Sequence, residues 1–280
     1  MASPRRGAAA TARDSRRGAE APQTYWDRSK QPLEILALVA PLVVIYEIGL
    51  VWALRAERGT LTNRAHEGLL RVFDAVGIDI MLMALPAAAV LVVLVTWQFL
   101  SRRPWSLDLP TLGLMVIESA AAALPLAVFA QVVVRSGAAW ESMGAMSLGA
   151  LAPAALAAAG GPESLGLLGK VSLAIGAGIY EELIFRMALI ALLHTLFVDA
   201  MRMSERWGIA LAIAISAALF AIYHPLGAAS GGIDWSRATF FLGAGAYFGV
   251  IYVMRGFGIA VGAHAAYDLL AVVALPAWYA

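Results

Sequence analysis

Apolar residues fill seven stretches of this chain: Leu33–Ala53, Ile78–Leu100, Thr111–Val134, Leu165–Val198, Trp207–Leu226, Thr239–Met254 and Gly258–Leu275. A helix needs about 20 apolar residues to cross a bilayer, so the pattern predicts about seven membrane spans. The sixth stretch, at about 16 residues, is short for a full crossing. The fourth is too long for one upright crossing, so its helix either projects beyond the bilayer or breaks around Gly176–Gly178. Between the first two spans, Ala65–Val76 has the pattern of an amphipathic helix lying on the membrane surface. Residues 135–163, rich in small residues, suit a short interfacial helix. Strand-type alternation is not seen, which argues against a β-barrel. The expected fold is all-α: a polytopic transmembrane helical bundle.

Composition agrees. Of 280 residues 61% are hydrophobic and only 14% charged, where a soluble domain carries about 25% charged residues. The absence of cysteine excludes disulfides and thiolate ligands or nucleophiles. The charges gather in loops and in residues 1–30, which carry Arg5, Arg6, Arg13, Arg16, Arg17, Arg28 and Lys30 without apolar periodicity. That stretch reads as a disordered basic cytoplasmic arm. Its paired arginines resemble an export signal, but the apolar run behind them is long enough to be a membrane anchor. The lipid bilayer is an expected partner; nucleic acid is not. Three parts follow: the arm, N-terminal transmembrane helices over 31–163, and a helical core over 164–280.

That core places polar residues where they are costly. Glu181, Glu182 and Arg186 interrupt the fourth run, His224 closes the fifth, and His264 and Asp268 lie inside the seventh. Ionisable groups within spans persist mainly where they line a cavity or a polar path. On a helix Glu182 and Arg186 share a face and can pair, while Glu181, about 100° round, is left for another partner. His264 and Asp268 also share a face. A buried structural salt bridge would account for the first group alone. Three spans contributing together suit hydrolysis: a carboxylate beside an imidazole takes a proton from water, and a second imidazole donates to the developing oxyanion. The two adjacent carboxylates can then divide the work, one basic and one structural.

In that order, Glu181-Glu182-x-x-x-Arg186, Phe220-x-x-x-His224 and His264-x-x-x-Asp268 resemble the CAAX protease and bacteriocin-processing (CPBP, or Abi) family. These intramembrane endopeptidases include the Ras-converting CAAX endopeptidase. The resemblance covers roughly residues 165–275. It implies that Glu181 and His224 activate the attacking water, that Glu182 and Arg186 hold their helix in place, and that His264 with residue 268 stabilises the oxyanion. Asparagine is the family's commoner residue at that last position. An ionised aspartate cannot donate as an asparagine NH2 does, so Asp268 is either protonated, an orienter of His264, or a metal ligand. The resemblance implies a bacterial inner-membrane enzyme acting on peptide or membrane-protein substrates such as C-terminal tails, leaders or lipidated tails.

Two mechanisms stay open. Glu181, His224, His264 and Asp268 could make a zinc site with an open position, while the resemblance favours a glutamate mechanism with no required cofactor. A non-catalytic scaffold or immunity protein of the same fold is the alternative from another class, and a proton-conducting transporter a third. Glu47 and Glu118 stand in spans without evident partners, explicable by an arginine packed against them or by a vestibule. His194 falls near the membrane surface and His66 outside the spans. Gly243, Gly245 and Gly249 read as a helix-packing face. One tension remains: His224 ends its span while Glu181 sits near the middle of its own, and either a break in the Glu181 helix or a re-entrant first hairpin would let their depths coincide.

Overall fold

The computed structural model describes residues 23–55, 64–75, 77, 85–140, 166–228 and 231–274. Among them the chain is helical, without strands. A helical turn α1 (Tyr25–Arg28) precedes α2 (Pro32–Arg55), α3 (Arg64–Ala75), α4 (Leu85–Ser101) and α5 (Leu109–Trp140). The core then adds α6 (Leu167–Ala200), α7 (Glu205–Tyr223), α8 (Trp235–Arg255) and α9 (Phe257–Leu269), which runs on as a π-helical turn through Ala274. Among the described residues five helices are long and apolar enough to cross a membrane, with shorter apolar ones at Pro86–Ser101 and Phe257–Val273. Ile117, Val128 and Ile222 point outward and are exposed, as expected of helices that are apolar on every side.

Local chemistry sets the ends. The Asp108 carboxylate accepts the Thr111 amide hydrogen at 3.0 Å and so caps α5. At the close of α7, Pro225 forces His224 out of the helical region (φ −84°, ψ 158°). Between α8 and α9 stands the single residue Gly256, at φ 86°, a conformation that favours glycine.

Helix α9 lies at the centre, crossing α6 on one side and α5 on the other; α2 packs on α6, and α7 pairs with α8. The crossings are close. A Cβ on Gly178 of α6 would stand 2.8 Å from the Ala265 backbone nitrogen of α9. Gly245 meets Ala217 of α7 at a similar distance, and Gly249 abuts Ile213, whereas Gly243 turns toward Phe129 of α5. The glycine face therefore serves two neighbours.

Three expectations change. The sixth span is full length, 21 residues from Trp235 to Arg255, because Trp235, Ser236, Arg237 and Ala238 join the helix behind the Asp234 cap. Helix α6 does not break at Gly176–Gly178: it is α-helical through Glu182 and widens to a π-helix at Leu183–Ile190. The stretch read as a disordered arm ends in structure, since Asp27 accepts from both the amide and the hydroxyl of Thr24 and closes the turn of α1. Its first 22 residues, residues 141–163 with the interfacial helix expected there, and 78–84 of the second span lie outside the described residues. The amphipathic helix appears as α3, with His66 buried against Tyr46 and Tyr180.

Glu118 has the arginine that would explain it. Arg255 at the end of α8 donates to both its oxygens, at 2.5 and 2.8 Å, and the Tyr25 hydroxyl donates to the same carboxylate. Arg255 also reaches the Ser29 hydroxyl at 3.0 Å and lies 3.7 Å from the ring centre of Trp26. This knot ties the entry of the chain to α5 and α8.

Candidate active site

Helix α6 runs antiparallel to α7 through the turn at Met201–Ser204. Glu181 and His224 stand about equally far along the chain from that turn, so the hairpin brings them to one level. No break is needed to match their depths; the excess length of α6 provides the match. The Glu181 Oε2 atom lies 3.6 Å from His224 Nε2.

Hydrogen bonds fix how the rings present themselves. His224 Nδ1 stands 2.8 Å from the Phe220 carbonyl oxygen. A carbonyl only accepts, so Nδ1 carries the hydrogen and Nε2 is the atom turned toward Glu181. The ring is held flat against Phe241, with centroids 4.0 Å apart. The extended backbone that Pro225 imposes at His224 swings this side chain off the α7 cylinder.

His264 is set by Glu182. Its Nδ1 lies 2.7 Å from Glu182 Oε1, leaving Nε2 at 3.5 Å from Asp268 Oδ2 and 3.8 Å from Glu181 Oε2. The ring stacks on Phe248 at 4.6 Å. When both ring nitrogens are protonated, each N–H therefore faces a carboxylate.

Glu182 Oε1 also receives Arg186 at 2.9 Å. Arg186 is fully buried, donates to the Gly245 carbonyl at 3.2 Å and lies 4.4 Å from the centre of the Phe220 ring. One guanidinium thus ties α6 to α8 and to the aromatic residue whose carbonyl orients His224. The widening of the helix to π pitch begins one residue after Glu182, a feature often found beside functional sites. Ser216 of α7 satisfies part of that altered backbone by donating to the Phe185 carbonyl at 2.7 Å.

All six residues singled out from the sequence come together. Glu181, His224, His264 and Asp268 line one pocket, walled by Phe220, Phe240, Phe241 and Phe248, while Glu182 and Arg186 stand behind it. The sequence did not indicate the Glu182–His264 bond, the Phe220 carbonyl as the partner of His224, or Tyr267, which also lines the pocket. Glu47, His66 and His194 are not among the lining residues.

Among the described residues no three His, Asp or Glu side chains are arranged to hold a metal ion. The ring nitrogens nearest to carboxylates are 2.7 Å from Glu182, which already binds Arg186, and 3.5 to 3.8 Å from Asp268 and Glu181. These pairs are spaced to exchange protons with one another or with a bridging water.

Residues 163–270 match the family described as Type II CAAX prenyl endopeptidase Rce1-like. The matched stretch is similar to that family and contains all six residues, and the helices before it lie outside the match. No curated protein and no solved structure matches the chain.

Proposed function

We propose that this integral membrane protein is an endopeptidase of the bacterial inner membrane. It hydrolyses peptide bonds in membrane-associated or C-terminal-tail substrates, including the prenylated CAAX tails named in its domain's family. The observation that carries this reading is Glu181, whose Oε2 faces the Nε2 atoms of His224 at 3.6 Å and His264 at 3.8 Å, from three helices, in one aromatic-walled pocket. A static salt bridge would need one of these imidazoles; two of them turned toward one carboxylate make a proton relay beside a donor.

Water bound between Glu181 and His224 gives a proton to that pair as its oxygen bonds to the scissile carbonyl carbon. The carbonyl π electrons move onto oxygen, where the His264 Nε2–H donates a hydrogen bond. The carbon–nitrogen bond then breaks, and the proton held by the pair passes to the leaving amine. Glu182 keeps the His264 ring in register, and Asp268 balances its charge when both nitrogens are protonated. The phenylalanine walls exclude bulk water, which strengthens each of these interactions. On this reading the water is activated by side chains alone.

The test is cleavage of an internally quenched farnesylated CAAX peptide by the purified full chain in proteoliposomes. Glu181→Gln removes the base and lowers kcat by about 10²–10⁴-fold, and a strong chelator leaves the wild-type rate unchanged. A Glu181→Gln protein as fast as wild type, or a rate lost to chelation and restored by zinc, contradicts the mechanism.

A further inference from the structure

We propose that the Tyr267 hydroxyl is a catalytic hydrogen-bond donor to the oxyanion, supplying what an aspartate at position 268 does not. The inference rests on the endopeptidase reading and adds a residue to its machinery.

Carboxyl groups aside, only three of the described side chains lining the pocket carry an N–H or O–H: His224, His264 and Tyr267. The Nδ1 hydrogen of His224 is committed to the Phe220 carbonyl, and that of His264 to Glu182. Tyr267 is 3% exposed, and its hydroxyl has no hydrogen-bond partner among the described residues. A buried tyrosine hydroxyl normally finds one. Here the missing acceptor is the substrate.

Helical spacing puts Tyr267 in the right company. His264, Tyr267 and Asp268 are residues i, i+3 and i+4 of α9 and share one face. The ring is braced by Phe240, with centroids 5.8 Å apart. Asp268 Oδ2 stands 3.5 Å from His264 Nε2, so as a carboxylate it is an acceptor beside the oxyanion position. Two acceptors there would repel the developing charge. A neighbouring O–H converts that corner of the pocket from accepting to donating. When water adds to the carbonyl, the Tyr267 O–H points at the new oxyanion and keeps its proton throughout; no covalent bond of the tyrosine changes.

Tyr267→Phe removes one oxygen and keeps the ring against Phe240. With the farnesylated CAAX peptide, kcat falls by about 10²–10³-fold, as for other oxyanion donors, while KM stays within about twofold. The melting midpoint remains that of wild type. Asp268→Asn placed in the Tyr267→Phe background restores a donor and recovers at least about tenfold of the lost kcat.

A Tyr267→Phe kcat within about threefold of wild type, with Glu181→Gln inactive in the same assay, overturns the role of Tyr267 and leaves the endopeptidase reading standing. So does a raised KM at unchanged kcat, which would make the hydroxyl a binding contact only. A wild-type protein that cleaves no peptide and is stabilised by no phosphinic analogue of one overturns both.

Discussion

Glu182 and Glu181 are chemically identical neighbours given different tasks by what meets them. Glu182 receives Arg186 and His264 on one oxygen and stands behind the pocket; Glu181 opens onto it. The six candidate residues stand out in the sequence because charged groups in apolar runs are conspicuous. The division of labour was legible only in outline. The spacing of four between Glu182 and Arg186 announces their pair, but nothing announces that Glu182 also orients a histidine 82 residues away. Nor does any pattern reveal that a backbone carbonyl selects the His224 tautomer, since that depends on where Pro225 ends the helix. Arg186 gives the test at this scale. It is 0% exposed and serves Glu182, Gly245 and the Phe220 ring at once. Arg186→Ala leaves Glu182 buried without its cation and is expected to cost about 3–5 kcal/mol. Chemical denaturation in detergent reads that loss, and a stability equal to wild type would show that the pair holds nothing.

At the scale of elements, the length of α6 mattered more than its glycines. A run too long for the bilayer invited a break at Gly176–Gly178, yet small residues there serve the crossing with α9. Gly178→Ala sets a methyl 2.8 Å from the Ala265 nitrogen and is expected to destabilise by about 1–3 kcal/mol. Because α9 must shift to admit it, kcat falls as well. Gly68→Ala is the control: a Cβ there meets nothing within 4 Å, and a helical Gly-to-Ala change contributes about 0.5–1 kcal/mol of stability. Equal melting midpoints for the two variants would remove the argument from close packing.

Helix ends supply a pH prediction. Hydrogen bonds from the Thr111 side chain, then from its amide, hold the Asp108 carboxyl below its ordinary value of 3.8. A lowered folded-state pKa contributes stability above 3.8 and loses it as the pH falls through the lower folded value. The thermal midpoint should therefore drop on acidification below 3.8, and Asp108→Asn, which still caps but does not titrate there, should reduce that drop. An identical acid profile in the variant would show that the cap is not titrating.

Across the whole molecule, hydropathy alone conveyed the all-α membrane architecture, since a bilayer admits few other ways to satisfy the backbone. It could not convey who packs on whom. Glu118 and Arg255 are 137 residues apart, and their union with Tyr25 and Ser29 shows that the end of the supposed arm belongs to the bundle. The same limit hid the depth match of Glu181 and His224, which emerges from the α6–α7 hairpin and not from any single span. The N-terminal helices brace the core, with α2 against α6 and α5 against α9, while all six candidate residues lie in the matched stretch at 163–270.

The central claim is proteolysis by Glu181. The most direct measurement compares the membrane and secreted proteomes of the native host carrying wild type or Glu181→Gln at equal protein level. Precursors with intact tails or leaders should accumulate only in the mutant, identifying the substrate and the bond cleaved together. Indistinguishable proteomes, under conditions where the protein is expressed, would contradict the account and make this bundle a scaffold that keeps the pocket without using it.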